Sequence, residues 1–180
     1  AQDKPQFVVA DGNEAGIQAM LTAALKAADP YFPDGPCVTN IDTAVQQASQ
    51  DPALKDTTRK SFVLLITDGA QAGCNAAGGD TGTQNIITQM NTAGVSTFVL
   101  GFGAGIDAAQ MNKFAVAGGV PNNDPLDPTA KYYKANDTAS LAAALGKIAG
   151  SILGCSFTLN TTPKDPSKIF VFFDNAKVPQ

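Results

Sequence analysis

Residues 62–66 (Phe62-Val63-Leu64-Leu65-Ile66) are an unbroken apolar run closed by Thr67-Asp68-Gly69, and residues 95–102 are a second run closed by Gly101-Phe102-Gly103. Apolar runs without alternation predict strands buried on both faces, as in a parallel sheet. Between and around them apolar residues recur at helical spacing. Ile17, Met20, Leu21 and Leu25 form one stripe. Ile41, Ala44, Val45 and Ala48 form another, ending near Asp51-Pro52. Ile86, Ile87 and Met90 belong to a helix that ends near Gly94, and residues 106–117 to one that stops at Gly118-Gly119. Leu141, Leu145, Ile148 and Ile152 mark the last helix, with Asp137 or Thr138 as its cap. Short strands are expected at 6–10 and 131–134, and loops at 29–36 and 122–128.

Strand and helix thus alternate up to residue 154. This predicts an α/β fold, a doubly wound, Rossmann-like parallel sheet with helices on both faces. The tail changes character. Residues 156–160 and 168–174 read as two strands joined by a Pro-containing turn. The expected organisation is an α/β domain over 1–154 and a β extension over 155–180.

Composition narrows the function classes. A chain of 180 residues is a natural single domain. A net charge of -4 argues against nucleic acid and anionic membranes as partners. No apolar run approaches the roughly 18 residues of a membrane span. The absence of His excludes His-based triads, His-ligated zinc and His-held haem, and three Cys are too few for a Cys₄ centre. Neither a phosphate-binding G-x-x-x-x-G-K-[ST] loop nor a dinucleotide G-x-G-x-x-G occurs after a strand. Gly101-x-Gly103-x-Gly105 is read as a tight turn and Asp107 as a helix cap, so no enzyme is expected. Cys74 lies in the polar, Gly-rich stretch 71–82, which predicts an exposed thiol. An exposed Cys fits an exported protein with a disulfide better than a reducing cytosol; three buried thiols are the alternative.

Open α/β sheets bind ligands beyond the carboxyl ends of their strands. Asp68 follows the first apolar strand directly, and Thr39 precedes the second helix. A carboxylate and a hydroxyl at one edge are hard oxygen donors suited to Mg²⁺, Mn²⁺ or Ca²⁺. Read locally, the same residues are a strand-ending turn and a helix cap.

The strings Phe62–Gly69 (FVLLITDG), residues 38–44 (VTNIDTA) and Gly94–Gly119 together resemble the von Willebrand factor A domain, in order and spacing, over most of the chain. Within that family the chain is most similar to secreted bacterial A domains of the myxobacterial type. Those continue with a Cys soon after the Asp-Gly turn, as Cys74 does here, and close with a helix, a Cys and a strand pair. The resemblance implies a metal-ion-dependent adhesion site. In it Thr39 and Asp68 would ligate Mg²⁺ or Ca²⁺, with an open position for an acidic residue of a protein partner. Asp42 and Asp80 are nearby carboxylates that would support it. The family's first loop, D-x-S-x-S, does not occur in this sequence. Asp11-Gly12-Asn13-Glu14-Ala15 carries Asn and Ala where the hydroxyls belong, and it lies too close to Thr39 for the intervening elements. Residues 6–25 therefore resemble the family's third strand and second helix. The expectation is that this chain corresponds to the C-terminal two-thirds of such a domain, the remainder coming from an upstream segment or another chain.

The resemblance also bears on the cysteines. Cys37 and Cys74 would lie in loops at the same sheet edge and could be bonded to one another. Alternatively Cys74 pairs with a Cys upstream, and Cys155 pairs outside the chain or stays buried. Two functions follow as expectations. The first is a non-enzymatic adhesion module, secreted, periplasmic or on the cell surface. The second is a metal-free structural or assembly subunit, a homo-oligomer among its forms, that keeps the fold without the metal site.

Overall fold

The computed structural model describes residues 7, 12–24, 39–72, 75–152, 165, 172–173 and 176–177. The two apolar runs become strands β1 (Phe62–Thr67) and β2 (Ser96–Phe102), and Tyr133–Ala135 forms β3. All pair in parallel in the order β1-β2-β3, with Leu64 opposite Phe98, Ile66 opposite Leu100, and Leu100 opposite Tyr133. The helices are α1 (Glu14–Ala24), α2 (Ile41–Ser49), α3 (Gly79–Thr92), α4 (Ala108–Ala117) and α5 (Thr138–Ile152). A 3₁₀ turn at Pro52–Lys55 follows α2. The α/β architecture expected from the alternating blocks is present. None of the described helices is long and apolar enough to cross a membrane.

Side-chain alternation along β2 divides the core. Val99 points to a cluster with Ile41 and Val45 of α2, Ile87 and Met90 of α3, and Met111 and Phe114 of α4. Phe98 and Leu100 point the other way, onto Tyr133 and Ala135 of β3 and Ala144 and Ile148 of α5. Helices therefore cover both faces of β2, and residues 97–101 are fully buried.

β1 departs from expectation. Val63 and Leu65 pack into the first cluster, but Leu64 and Ile66 on the other face remain 39% and 52% exposed. The reason is reach: α5 packs on β3 and β2, and on this face of β1 only Phe62 joins the second cluster. Among the described residues no strand pairs with the far edge of β1.

Local chemistry sets the helix starts. Asp107 accepts from the Ala109 and Gln110 amides and opens α4. Asp137 accepts from Ser140 N at 2.7 Å while Ser140 Oγ accepts from Asp137 N at 3.0 Å, a reciprocal cap for α5. α1 keeps Ile17 and Leu21 exposed. In the tail, Phe172–Phe173 pairs antiparallel with Ala176–Lys177. The strands expected at 6–10 and 156–160, apart from Phe7, lie outside the described residues, as do Cys37, Cys74 and Cys155.

Candidate functional site

Three loops meet at the carboxyl ends of β1 and β2. The first leaves β1 as Thr67-Asp68-Gly69, where the Thr67 hydroxyl donates to Gly69 O at 2.8 Å and closes a tight turn. The second enters α2 through Thr39 and Asn40. Its backbone is tied to the first by the Ala72 amide, which donates to Thr39 O at 2.9 Å. The third leaves β2 through Gly103 and Gly105.

Close approach explains two glycines here. A Cβ on Gly69 would stand 3.2 Å from Thr39 Oγ1, so the Thr39 hydroxyl abuts the turn that carries Asp68. A Cβ on Gly105 would stand 2.8 Å from Asp68 O, so only glycine lets the third loop seat against the first. The fold thus brings Thr39 and Asp68 onto neighbouring loops of one rim. Asp68 is exposed and Thr39 is half-buried.

Beneath the rim lies a carboxylate with a different task. Asp42, in the first turn of α2, is completely buried. Its Oδ1 accepts from Thr43 N at 2.8 Å and Gln71 Nε2 at 3.2 Å. Its Oδ2 accepts from Ala77 N at 2.9 Å and Gly79 N at 3.0 Å. Burial by itself pushes this carboxyl up. The backbone amides of Ala77, Gly79 and Thr43, with the Gln71 side chain, outweigh it and hold the group below its ordinary value. Gln71 returns a bond by accepting from Asp42 N at 3.0 Å through its Oε1, and its backbone N–H donates to Gln110 Oε1 at 2.8 Å. Gln110 Nε2 then donates to Asp80 Oδ1 at 2.6 Å. One polar chain therefore joins α2, the loop after β1, the start of α3 and α4.

This network corrects the expectation for two residues. Asp42 is not a supporting metal ligand, because four N–H donors occupy its carboxylate below the surface. Asp80 commits one oxygen to Gln110. Gln71 and Gln110, which the sequence reading passed over, hold the rim instead. A polar Gln at 110 on the stripe that buries Met111 and Phe114 was the available signal.

The fit of a divalent cation follows from the donors left. Thr39 Oγ1 and the Asp68 carboxylate are of the right kind, hard oxygens on adjacent loops. Asn40 Oδ1, next to Thr39, is buried and takes no hydrogen bond, an oxygen acceptor left over at the same loop. Such a set matches Mg²⁺ or Ca²⁺ in chemistry and is short of the six oxygens an octahedral ion requires. Among the described residues no cluster of three His, Cys, Asp or Glu side chains could hold a metal. Set against known proteins, the chain matches no family model, no curated protein and no solved structure.

Proposed function

We propose that the chain is a non-enzymatic binding module of the von Willebrand factor A type, working outside the cytosol. Its contact surface is the rim of loops at the carboxyl ends of the strands. There Thr39 and Asp68 hold Mg²⁺ or Ca²⁺ with water completing the shell, and the ion presents a vacant position to an acidic side chain of a protein partner. The observation that carries this reading is the seating of the Asp68 turn directly against the Thr39 hydroxyl. A hard cation attracts a carboxylate by charge and by ligand preference, so recognition of an acidic group needs no catalytic residue.

With two side-chain donors the ion is bound weakly. Titration with Mn²⁺ is expected to broaden the amide resonances of Thr39, Gly69 and Gly105 selectively, and EDTA to restore them. Asp68→Ala is expected to weaken this by about tenfold or more, since it removes the only charged ligand of the pair. Broadening elsewhere, or an unchanged response in Asp68→Ala, would end the metal reading.

A second reading, a metal-free assembly subunit, is favoured by the uncovered face of β1. Leu64 and Ile66 expose apolar surface on a strand whose far edge has no partner among the described residues. If copies assemble there, Leu64→Thr with Ile66→Thr is expected to convert a sedimenting oligomer to monomer. The double substitution is expected to change monomer stability by only about 0.5 kcal/mol per site. A protein that sediments as a monomer before substitution excludes this reading.

A further inference from the structure

The segment between α4 and β3 carries Pro121, Pro125 and Pro128, with Asp124 and Asp127 among them. Each aspartate uses one oxygen to shape its own loop: Asp124 Oδ1 accepts from Leu126 N at 2.9 Å, and Asp127 Oδ1 from Thr129 Oγ1 at 2.8 Å. Each uses the other on an ammonium group. Lys147 Nζ of α5 lies 2.6 Å from Asp124 Oδ2, and Lys134 Nζ of β3 lies 2.5 Å from Asp127 Oδ2. The two pairs frame a cavity of about 230 Å³ that Asn122 and Tyr133 also line.

Tyr133 is the informative residue. It is only 8% exposed, with its ring 6.2 Å from that of Phe98. No described residue hydrogen-bonds its hydroxyl, although the side chain lines the cavity. Among the described residues the buried unpartnered side-chain atoms are Asn40 Oδ1 and Thr97 Oγ1, so the Tyr133 hydroxyl is not sealed from water but opens into the cavity as a free donor and acceptor. Burial also pushes its ionisation up, so it stays a neutral donor and acceptor at ordinary pH.

We propose that this cavity binds a neutral, polyhydroxylated ligand, a saccharide unit, between the two ion pairs and over the Tyr133 hydroxyl. Two carboxylates and two ammonium groups cancel, so the site offers no net attraction to an ion. Each carboxylate oxygen in a pair keeps a free lone pair, and each ammonium keeps further protons. An apolar ligand would strand all of these. A charged one would have to pull a pair apart. A sugar hydroxyl both donates and accepts, so two hydroxyls on adjacent carbons can donate to an aspartate and accept from its lysine with the pair intact. Ion pairs as exposed as these add little to stability, so stapling the loop is a weak reason for two around one hollow. The cavity shares no residue with the rim at Thr39 and Asp68, so this inference stands apart from the metal reading.

The test is a titration of the isotope-labelled chain, followed by amide chemical shifts. The probes are the methyl glycosides of glucose, galactose, mannose and N-acetylglucosamine, with inorganic phosphate and glutamate as charged counterparts. At least one glycoside is expected to give saturable shifts at Asn122, Lys134 and Lys147 that added NaCl leaves unchanged. Tyr133→Phe keeps the ring on Phe98 and is expected to weaken that binding roughly five- to tenfold without moving the thermal midpoint. Lys147→Gln, at a side chain 57% exposed, is expected to do the same. The proposal is overturned if none of the four glycosides shifts these amides. It is equally overturned if both variants bind like the parent chain, or if phosphate or glutamate shifts the same amides more strongly.

Discussion

Asp42→Ala is expected to destabilise the chain by about 3–5 kcal/mol, the largest effect of any polar substitution in the described fold. The carboxylate is fully buried and accepts four hydrogen bonds. Its removal leaves the buried amide of Gly79, the half-buried amides of Thr43 and Ala77 and the half-buried side chain of Gln71 without their acceptor. Each orphaned buried donor costs about 1–3 kcal/mol, reduced by whatever the loops recover in relaxing. Chemical denaturation should show the loss as a fall in midpoint. An Asp42→Ala protein as stable as the parent would mean that the donors find other partners and that Asp42 does not organise the rim.

The same bonds make stability depend on pH in a defined direction. The folded-state value of Asp42 is depressed below its ordinary value of 3.8. Its contribution is therefore fully present above that ordinary value and is lost as pH falls through the lower, folded one. Asp42→Asn does not titrate and cannot accept at all four donors. It is expected to be less stable than the parent near neutrality and to close that gap as both are taken into acid. The check is a set of denaturation midpoints from neutral pH downward.

Phe98→Ala is expected to cost about 3–5 kcal/mol by a separate mechanism. Phe98 is 2% exposed in the central strand and touches Phe62 and Tyr133, with ring centroids at 5.8 Å and 6.2 Å. Cutting it to a methyl opens a hole that β2, held by strands on both sides, cannot close. The loss should appear in the denaturation midpoint with the dependence on denaturant little changed. A loss below about 1 kcal/mol would mean that α5 settles into the space and that the second core cluster is loosely packed.

What the chain disclosed in advance tracks the range of the interactions involved. The strands at 62–67 and 96–102 were legible because an apolar run is a local signal, and Asp107 and Asp137 because a cap bonds within three residues. The open face of β1 was not legible, and burial on both faces was expected instead. The letters Leu64 and Ile66 are those of a covered strand, and only the placement of α5 leaves them open. Thr39 and Asp68 were singled out by position, each at the carboxyl side of the sheet, and the fold brings their loops together. The role of Asp42 was misread for a physical reason. Its donors at Ala77 and Gly79 are far along the chain, and those amides carry no side-chain signature. A carboxylate that binds backbone reads, letter for letter, like one that binds a cation. The cavity at Tyr133 was invisible for a related reason, since an unpartnered hydroxyl is a property of packing.

The polar chain from Asp42 through Gln71 and Gln110 to Asp80 has a kinetic consequence. It fixes the backbone under the rim from within, through side chains and amides of the chain itself. A ligand captured on the loops of Thr39 and Asp68, as proposed, would therefore meet a surface already in shape. Little conformational entropy is lost on contact, and no ordering step has to precede capture. On that proposal the rate of association would be set by collision and orientation, and differences in affinity among ligands by how slowly they leave.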